Sequence, residues 1–172
     1  MIFATVGTQL PFDRLLAGLN SWAARNPGVP VFAQTGTSRG RFPHLDTVNH
    51  LSQPDFATRF SAARLIVSHA GMGTILSAAE LGKPLILMPR RLKFDEHRTD
   101  HQQDTAAEMA RLSNVAVVAD GEALHQALDR ALAQGFPLAR SGAETSSPKL
   151  EPLLDVIRDF VWEPSTVQRG LS

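Results

Sequence analysis

Ile66-Val67-Ser68-His69-Ala70-Gly71-Met72-Gly73-Thr74-Ile75-Leu76 is the stretch whose reading decides the fold. The apolar run Leu65-Ile66-Val67 stops at a polar, glycine-containing turn, and a helix-forming stretch, Ile75 to Leu81, begins directly afterwards. A buried strand that feeds a turn and then a helix N-terminus makes an anion site, because unpaired backbone N–H groups and the positive dipole end meet there. Gly71 and Gly73, on either side of Met72, let a bulky anion approach the backbone. Ser68, His69 and Thr74 add side-chain donors.

Working outward, the same alternation recurs. Upstream, Ile2 to Val6 reads as a buried strand stopped by Gly7-Thr8. Pro11 to Arg25 carries Phe12, Leu15, Leu16, Leu19 and Trp22 at helical spacing and ends at Asn26-Pro27-Gly28. Val31-Phe32-Ala33 is a second strand, stopped by Gln34-Thr35-Gly36; Asp46 to Val48 is a third, and Gln53-Pro54-Asp55 opens a short helix. Downstream, Gly82-Lys83-Pro84 closes the helix after the turn. Leu85 to Met88 is a strand stopped by Pro89, a charged loop runs from Arg90 to Asp100, and a helix spans His101 to Leu112. Val115 to Val118 is the last strand, followed by a helix capped by Asp120. Short apolar strands alternating with helices predict an α/β fold: a Rossmann-like parallel sheet with helices on both faces. Ligands of such sheets bind outside the carboxyl ends of the strands. Gly7-Thr8, Gln34-Thr35-Gly36, His69 to Thr74 and the loop after Pro89 all fall there, so one cleft is expected. The domain is expected over residues 1–137, with a Ser/Gly/Ala/Pro-rich linker at 138–149, a helix at 150–162 and a tail at 163–172.

The 172 residues are 43% hydrophobic, enough for a sizeable core. Seventeen basic and seventeen acidic residues leave no net basic field, which argues against a general nucleic-acid binder. The absence of cysteine excludes disulfides and thiolate metal sites. Met1-Ile2-Phe3-Ala4-Thr5-Val6-Gly7 lacks the pattern of a signal peptide, and no apolar run has the length of a membrane span. A cytoplasmic location is expected, with any membrane role peripheral and taken from a partner.

Several side chains suit polyol or phosphate chemistry. Ser77 and Glu80 lie three residues apart on the helix after the turn and share a side, where either can reach ribose hydroxyls. In the dense polar run from Arg90 to Gln103, Asp100, Gln102 and Gln103 suit vicinal diols, and Arg90 and Arg91 suit a phosphate or a partner. Asp100 is also a natural helix N-cap. His97 and His101, with Glu96 and Asp100 nearby, raise a metal site, yet the stretch has no HExxH, and the chain has no Asp-x-Asp pair. No metal is expected. No nucleophile elbow surrounds Ser61, Ser68 or Ser77.

Taken together, Phe3-Ala4-Thr5-Val6-Gly7-Thr8 with Phe12-Asp13-Arg14-Leu15, then Ser68-His69-Ala70-Gly71-Met72-Gly73-Thr74-Ile75, Gly82-Lys83-Pro84, Pro89-Arg90 and Glu96-His97-x-x-Asp100-His101-Gln102 resemble the small subunits of split glycosyltransferases of family 28. The resemblance covers about residues 1–135. The bacterial exopolysaccharide type looks closer than the related catalytic subunit of the eukaryotic dolichol-linked N-acetylglucosamine transferase. It implies the C-terminal, donor-binding half of a GT-B fold that takes a UDP-sugar without a cofactor. A membrane-anchored subunit would supply the acceptor half of the cleft and a lipid-linked saccharide acceptor. By position, His69, Gly71, Gly73 and Thr74 would surround the diphosphate, His69 stabilising the leaving UDP. Gln102 and Gln103 would meet the sugar, and Gly7 and Thr8 would line the rim toward the partner. Many relatives hold ribose with an acidic residue where this chain has Ser77; Glu80, one turn later, is the candidate substitute.

The expected function is inverting, metal-independent transfer from a UDP-sugar to a lipid-linked acceptor. A non-catalytic UDP-sugar-binding subunit and a UDP-sugar epimerase are the alternatives. An epimerase normally needs both halves in one chain, and this chain is short for that.

Overall fold

The computed structural model describes residues 1–99, 101–112 and 114–134. The linker, final helix and tail expected after residue 137 lie outside the described residues, as does Asp100. Six parallel strands form one sheet in the order β3-β2-β1-β4-β5-β6: β1 (Ile2–Thr5), β2 (Val31–Gln34), β3 (Asp46–Val48), β4 (Leu65–Ser68), β5 (Leu85–Leu87) and β6 (Val115–Val117). Among the described residues five α-helices connect and follow them: α1 (Asp13–Arg25), α2 (Gln53–Ala62), α3 (Met72–Glu80), α4 (His101–Met109) and α5 (Gly121–Ala133).

The sheet is central and apolar on both faces, which is why β1, β2, β4 and β5 are buried at every position. On one face Ile2, Ala4, Leu65, Val67 and Ile86 pack with Leu15, Leu16, Leu19 and Trp22 of α1 and Leu124 and Leu128 of α5. The Trp22 indole N–H donates to Asp129 at 2.7 Å, so the two helices are pinned as well as packed. On the other face Phe3 stacks on Phe32 and meets Phe56 and Phe60 of α2 edge-on.

The expected doubly covered parallel sheet is therefore the one observed. Its order reverses between β1 and β4, and this is the switch point outside which a ligand crevice opens. The register aligns Thr5 with Gln34 on one side and with Ser68 on the other. The sheet thus ends on a polar row under the rim.

Three local expectations are corrected. The helix after the glycine turn starts at Met72, three residues before Ile75, because extended Gly71 (φ −97°, ψ 131°) serves as its N-cap and accepts the Ile75 N–H. The charged loop after Pro89 contains a 3-10 helix, Leu92–Phe94, ended by Asp95 in the left-handed region (φ 56°). The helix expected to reach Leu112 ends at Met109.

Candidate donor site

At the switch point the ends of β1, β4 and β5 enclose a cleft of about 310 Å³ lined by Val6, Gly7, Thr8, Gln9, Leu10, His69, Arg90, His97 and Gln102. The centre of this arrangement is His69, the first residue after β4. Its ring lies between two glycines. A Cβ on Gly7 would stand 2.9 Å from the His69 Cε1, and one on Gly71 would overlap Nε2. Gly7 is also in the left-handed region (φ +76°), so a side chain there would be strained whatever the space.

The hydrogen bonds fix the ring's polarity. The Ser68 hydroxyl donates to the Thr5 carbonyl at 3.1 Å, so it accepts from His69 Nδ1–H, 3.3 Å away. Nε2 is then the lone-pair atom on the glycine side. Burial lowers the His69 pKa from 6.5 to about 4, helped by the positive Arg90 and by His97; a hydrogen bond to the Thr5 backbone works the other way. His69 is neutral at pH 7, and its Nε2 becomes a donor only when a nearby negative charge favours protonation.

Arg90 is buried, with 2% of its surface exposed. Its guanidinium donates to the carbonyls of Pro11 (2.6 Å), Val6 (2.7 Å), Leu10 (2.8 Å) and Glu96 (3.1 Å), and sits over the Phe12 ring at 4.6 Å. Burial lowers its pKa to about 10, against the supporting charge of Glu96, so it stays cationic at pH 7. Among the sequence candidates it is thus a hub joining the β1–α1 loop to the loop after β5. It acts on the cleft through its field and through the backbone it holds. The Gln102 side-chain carbonyl accepts the Arg90 N–H at 3.1 Å, which sets the start of α4 against the same hub.

Glu96 completes the frame. Arg14 of α1 grips both its carboxylate oxygens, at 2.7 and 2.8 Å, and also donates to Pro89 and Ala119 carbonyls. The Arg91 N–H donates to the same carboxylate at 3.0 Å. This pair accounts for the Glu96 side chain, which the sequence offered as a metal ligand. Among the described residues no group of three or more His, Asp or Glu is placed to hold a metal ion.

The structure thus brings Gly7, Thr8, His69, Arg90 and Gln102 to one cleft. Gly71, Met72, Gly73 and Thr74 form the N-cap and first turn of α3 just past His69. Gly73 is exposed, and a Cβ added to it meets nothing within 4 Å, whereas Thr74 is buried. Ser68 lies at 0% exposure beneath the ring. Ser77 is half-buried and Glu80 exposed, both further along α3 and outside the cleft lining; Gln103 is exposed on α4, also outside it. His97 and Gln9 line the cleft and were not singled out as donor-binding residues in the sequence. Only the long-range folding of the Arg90 loop brings His97 there.

A switch-point crevice, a helix N-terminus and a histidine between glycines are accompanied by a match over residues 1–154 to the glycosyltransferase family 28 C-terminal domain. The chain belongs to that family. It is 32% identical over 114 residues to the UDP-N-acetylglucosamine–N-acetylmuramyl-(pentapeptide) pyrophosphoryl-undecaprenol N-acetylglucosamine transferase of Solibacter usitatus, an alignment covering 59% of this chain and 31% of the relative. It is 26% identical over 141 residues to the UDP-N-acetylglucosamine transferase subunit ALG13 of Yarrowia lipolytica, covering 72% and 67%. The chain therefore spans about a third of the bacterial transferase and two thirds of the yeast subunit. Among solved structures, ALG13 in solution matches with a TM-score of 0.59 at 20% identity, covering 89% of this chain and 94% of that one. MurG of Acinetobacter baumannii matches at 0.57 and 21% identity, covering 91% and 49%. The UDP-GlcNAc 2-epimerase of Neisseria meningitidis matches at 0.56 with 12% identity, covering 90% and 44%. The solved-structure likenesses are of fold: a Rossmann-like sheet shared with GT-B glycosyltransferases.

Proposed function

We propose that this chain is the donor-binding, catalytic subunit of a two-component inverting glycosyltransferase. It moves a sugar from a UDP-sugar to a lipid-linked acceptor in exopolysaccharide or glycolipid biosynthesis. The observation that carries this reading is the His69 ring at the N-terminus of α3, in a cleft lined by Arg90 and His97 and, among the described residues, by no carboxylate. A diphosphate suits that field. Its charge raises the His69 pKa, so Nε2 gains a proton and donates to a phosphate oxygen, stabilising the leaving UDP without a metal. The α3 dipole adds to the same effect. Gln102, and Gln103 and Asp100 near it in sequence, serve the sugar hydroxyls, and Ser77 and Glu80 the ribose.

Transfer also needs an acceptor wall and a general base. In this reading a membrane-anchored partner supplies both, with this chain held peripherally at the cytoplasmic face; the similarity to ALG13, itself named a transferase subunit, supports that arrangement. Among the described residues no helix is long and apolar enough to cross a membrane.

The test is hydrogen exchange with and without UDP, followed by transfer assays on the chain co-expressed with its partner. Protection is expected over residues 68–77 and 100–103, and transfer is expected to collapse with His69→Ala and Thr74→Ala together. Unchanged exchange would remove the donor site from this cleft. UDP binding without transfer would make the chain a regulatory subunit, and interconversion of UDP-sugar epimers by the chain alone would select the epimerase.

A further inference from the structure

We infer that His97 is a further donor-binding residue, which hydrogen-bonds the hydroxyls of the transferred sugar and is held in place for it by Glu96. The inference rests on the UDP-sugar reading and deepens it. His97 is half-buried and lines the cleft together with Gln102 and with Thr8 and Gln9 of the β1–α1 loop. These side chains offer hydroxyl, amide and imidazole groups that match sugar hydroxyls. They lie at the β1 and β5 ends of the cleft, so a donor whose diphosphate sits at His69 can extend its sugar among them.

The ring is anchored by one atom. His97 Nδ1 lies 3.3 Å from both the Thr99 N–H and its hydroxyl, and 3.1 Å from the Thr99 carbonyl. Among the described residues that turn engages no other ring atom, so Nε2 of this cleft-lining residue can serve a ligand. A sugar hydroxyl both donates and accepts, so it pairs with Nε2 in either tautomer, whereas a phosphate oxygen pairs only with Nε2–H.

The residue before His97 is firmly fixed. Both carboxylate oxygens of Glu96 are held by Arg14, one of them also by the Arg91 N–H, and its carbonyl accepts from Arg90 at 3.1 Å. The Arg14–Glu96 pair spans 82 residues of sequence and ties this loop to α1. Glu96 touches no cleft space itself, so its part is to position the imidazole.

The experiment measures the dissociation constants of the full chain for UDP and for UDP-glucose, UDP-galactose, UDP-glucuronate and UDP-N-acetylglucosamine. His97→Ala is expected to leave UDP affinity unchanged. It is expected to weaken at least one UDP-sugar relative to UDP by roughly two- to tenfold, the range of a single hydrogen bond. His97→Gln, which keeps a hydrogen-bonding group, is expected to recover part of the loss. Glu96→Gln is expected to lower the same ratio in the wild-type background and to add nothing when His97 is already alanine. An unchanged ratio for all four sugars overturns the inference, as does equal weakening of UDP, which would assign His97 to the phosphates or to the fold. Additive effects of Glu96→Gln and His97→Ala would remove the positioning role. A wild-type chain that binds no UDP fails the underlying reading instead.

Discussion

His69 combines two demands that pull apart. Its burial favours the neutral ring, and the proposed contact with a diphosphate favours the charged one. The conflict has a measurable consequence. A histidine with a pKa of about 4 in the folded chain and about 6.5 in the unfolded chain costs nothing above pH 6.5. As pH falls from 6.5 to 4 the unfolded state takes the proton first, so stability is lost across that window and the loss levels off below pH 4, at about 3 kcal/mol. Urea unfolding of the wild type and of His69→Gln over this range is expected to show a slope in the difference, with the variant gaining relative stability toward pH 4. Ligand binding runs the other way. Near pH 5.5, calorimetry of UDP binding in buffers of different ionisation enthalpy is expected to show proton uptake, after correction for the phosphate's own titration, and His69→Gln is expected to remove the His69 part. The two glycines at the site also separate. Gly71 is required by the fold, since a methyl there meets the imidazole. Gly73 has open space around it, so Gly73→Ala is expected to keep or raise stability, by up to about 1 kcal/mol from helix propensity. The same change is expected to weaken UDP binding, because a methyl would stand where the anion approaches; unaltered UDP affinity would show that no ligand covers Gly73.

At the level of elements, the inner strands β1, β2, β4 and β5 were legible because each opens on an apolar run and is buried at every position, and a sheet covered on both faces makes that pattern favourable. The α5 start was legible too. Asp120 precedes an apolar helical repeat, and its carboxylate accepts the Ala123 N–H at 2.9 Å. Asp120→Ala is expected to cost about 1 kcal/mol in denaturant unfolding, the usual value of a lost N-cap. The α3 start was misread for a specific reason. Met72-Gly73-Thr74 contains a glycine, which lowers helix propensity, and Gly71 caps with no side chain at all. A backbone cap leaves no residue-type signature. That lack is also what the ligand reading requires: with no side-chain oxygen bonded at the first N–H groups of α3, they remain available to an anion.

For the whole molecule, the sheet and its switch point could be read from the chain order of strands and helices, but the cleft could not, because its walls meet through contacts between residues 75 to 84 apart. Arg90 shows the difference. Its position after a rim strand suggested a residue that faces a phosphate or a partner. Burial instead turns its donors to four carbonyls, three of them in the segment Val6 to Pro11, so it joins the two wings of the sheet at the point where their order reverses. These readings predict different results for Arg90→Lys, which keeps the charge and loses the planar fork. If Arg90 contributed only its field, lysine would nearly preserve both stability and UDP affinity. As a hub it cannot be replaced so simply: one ammonium has at most three donors on a single atom, so at least one buried carbonyl loses its partner, at a cost of roughly 1–3 kcal/mol. The melting temperature of Arg90→Lys is therefore expected to fall. UDP affinity, measured well below that temperature, is expected to fall with it, since the same hydrogen bonds hold Val6 and Leu10 at the cleft edge. A variant that melts lower yet binds UDP like the wild type would separate the hub from the site, leaving Arg90 a role in folding alone.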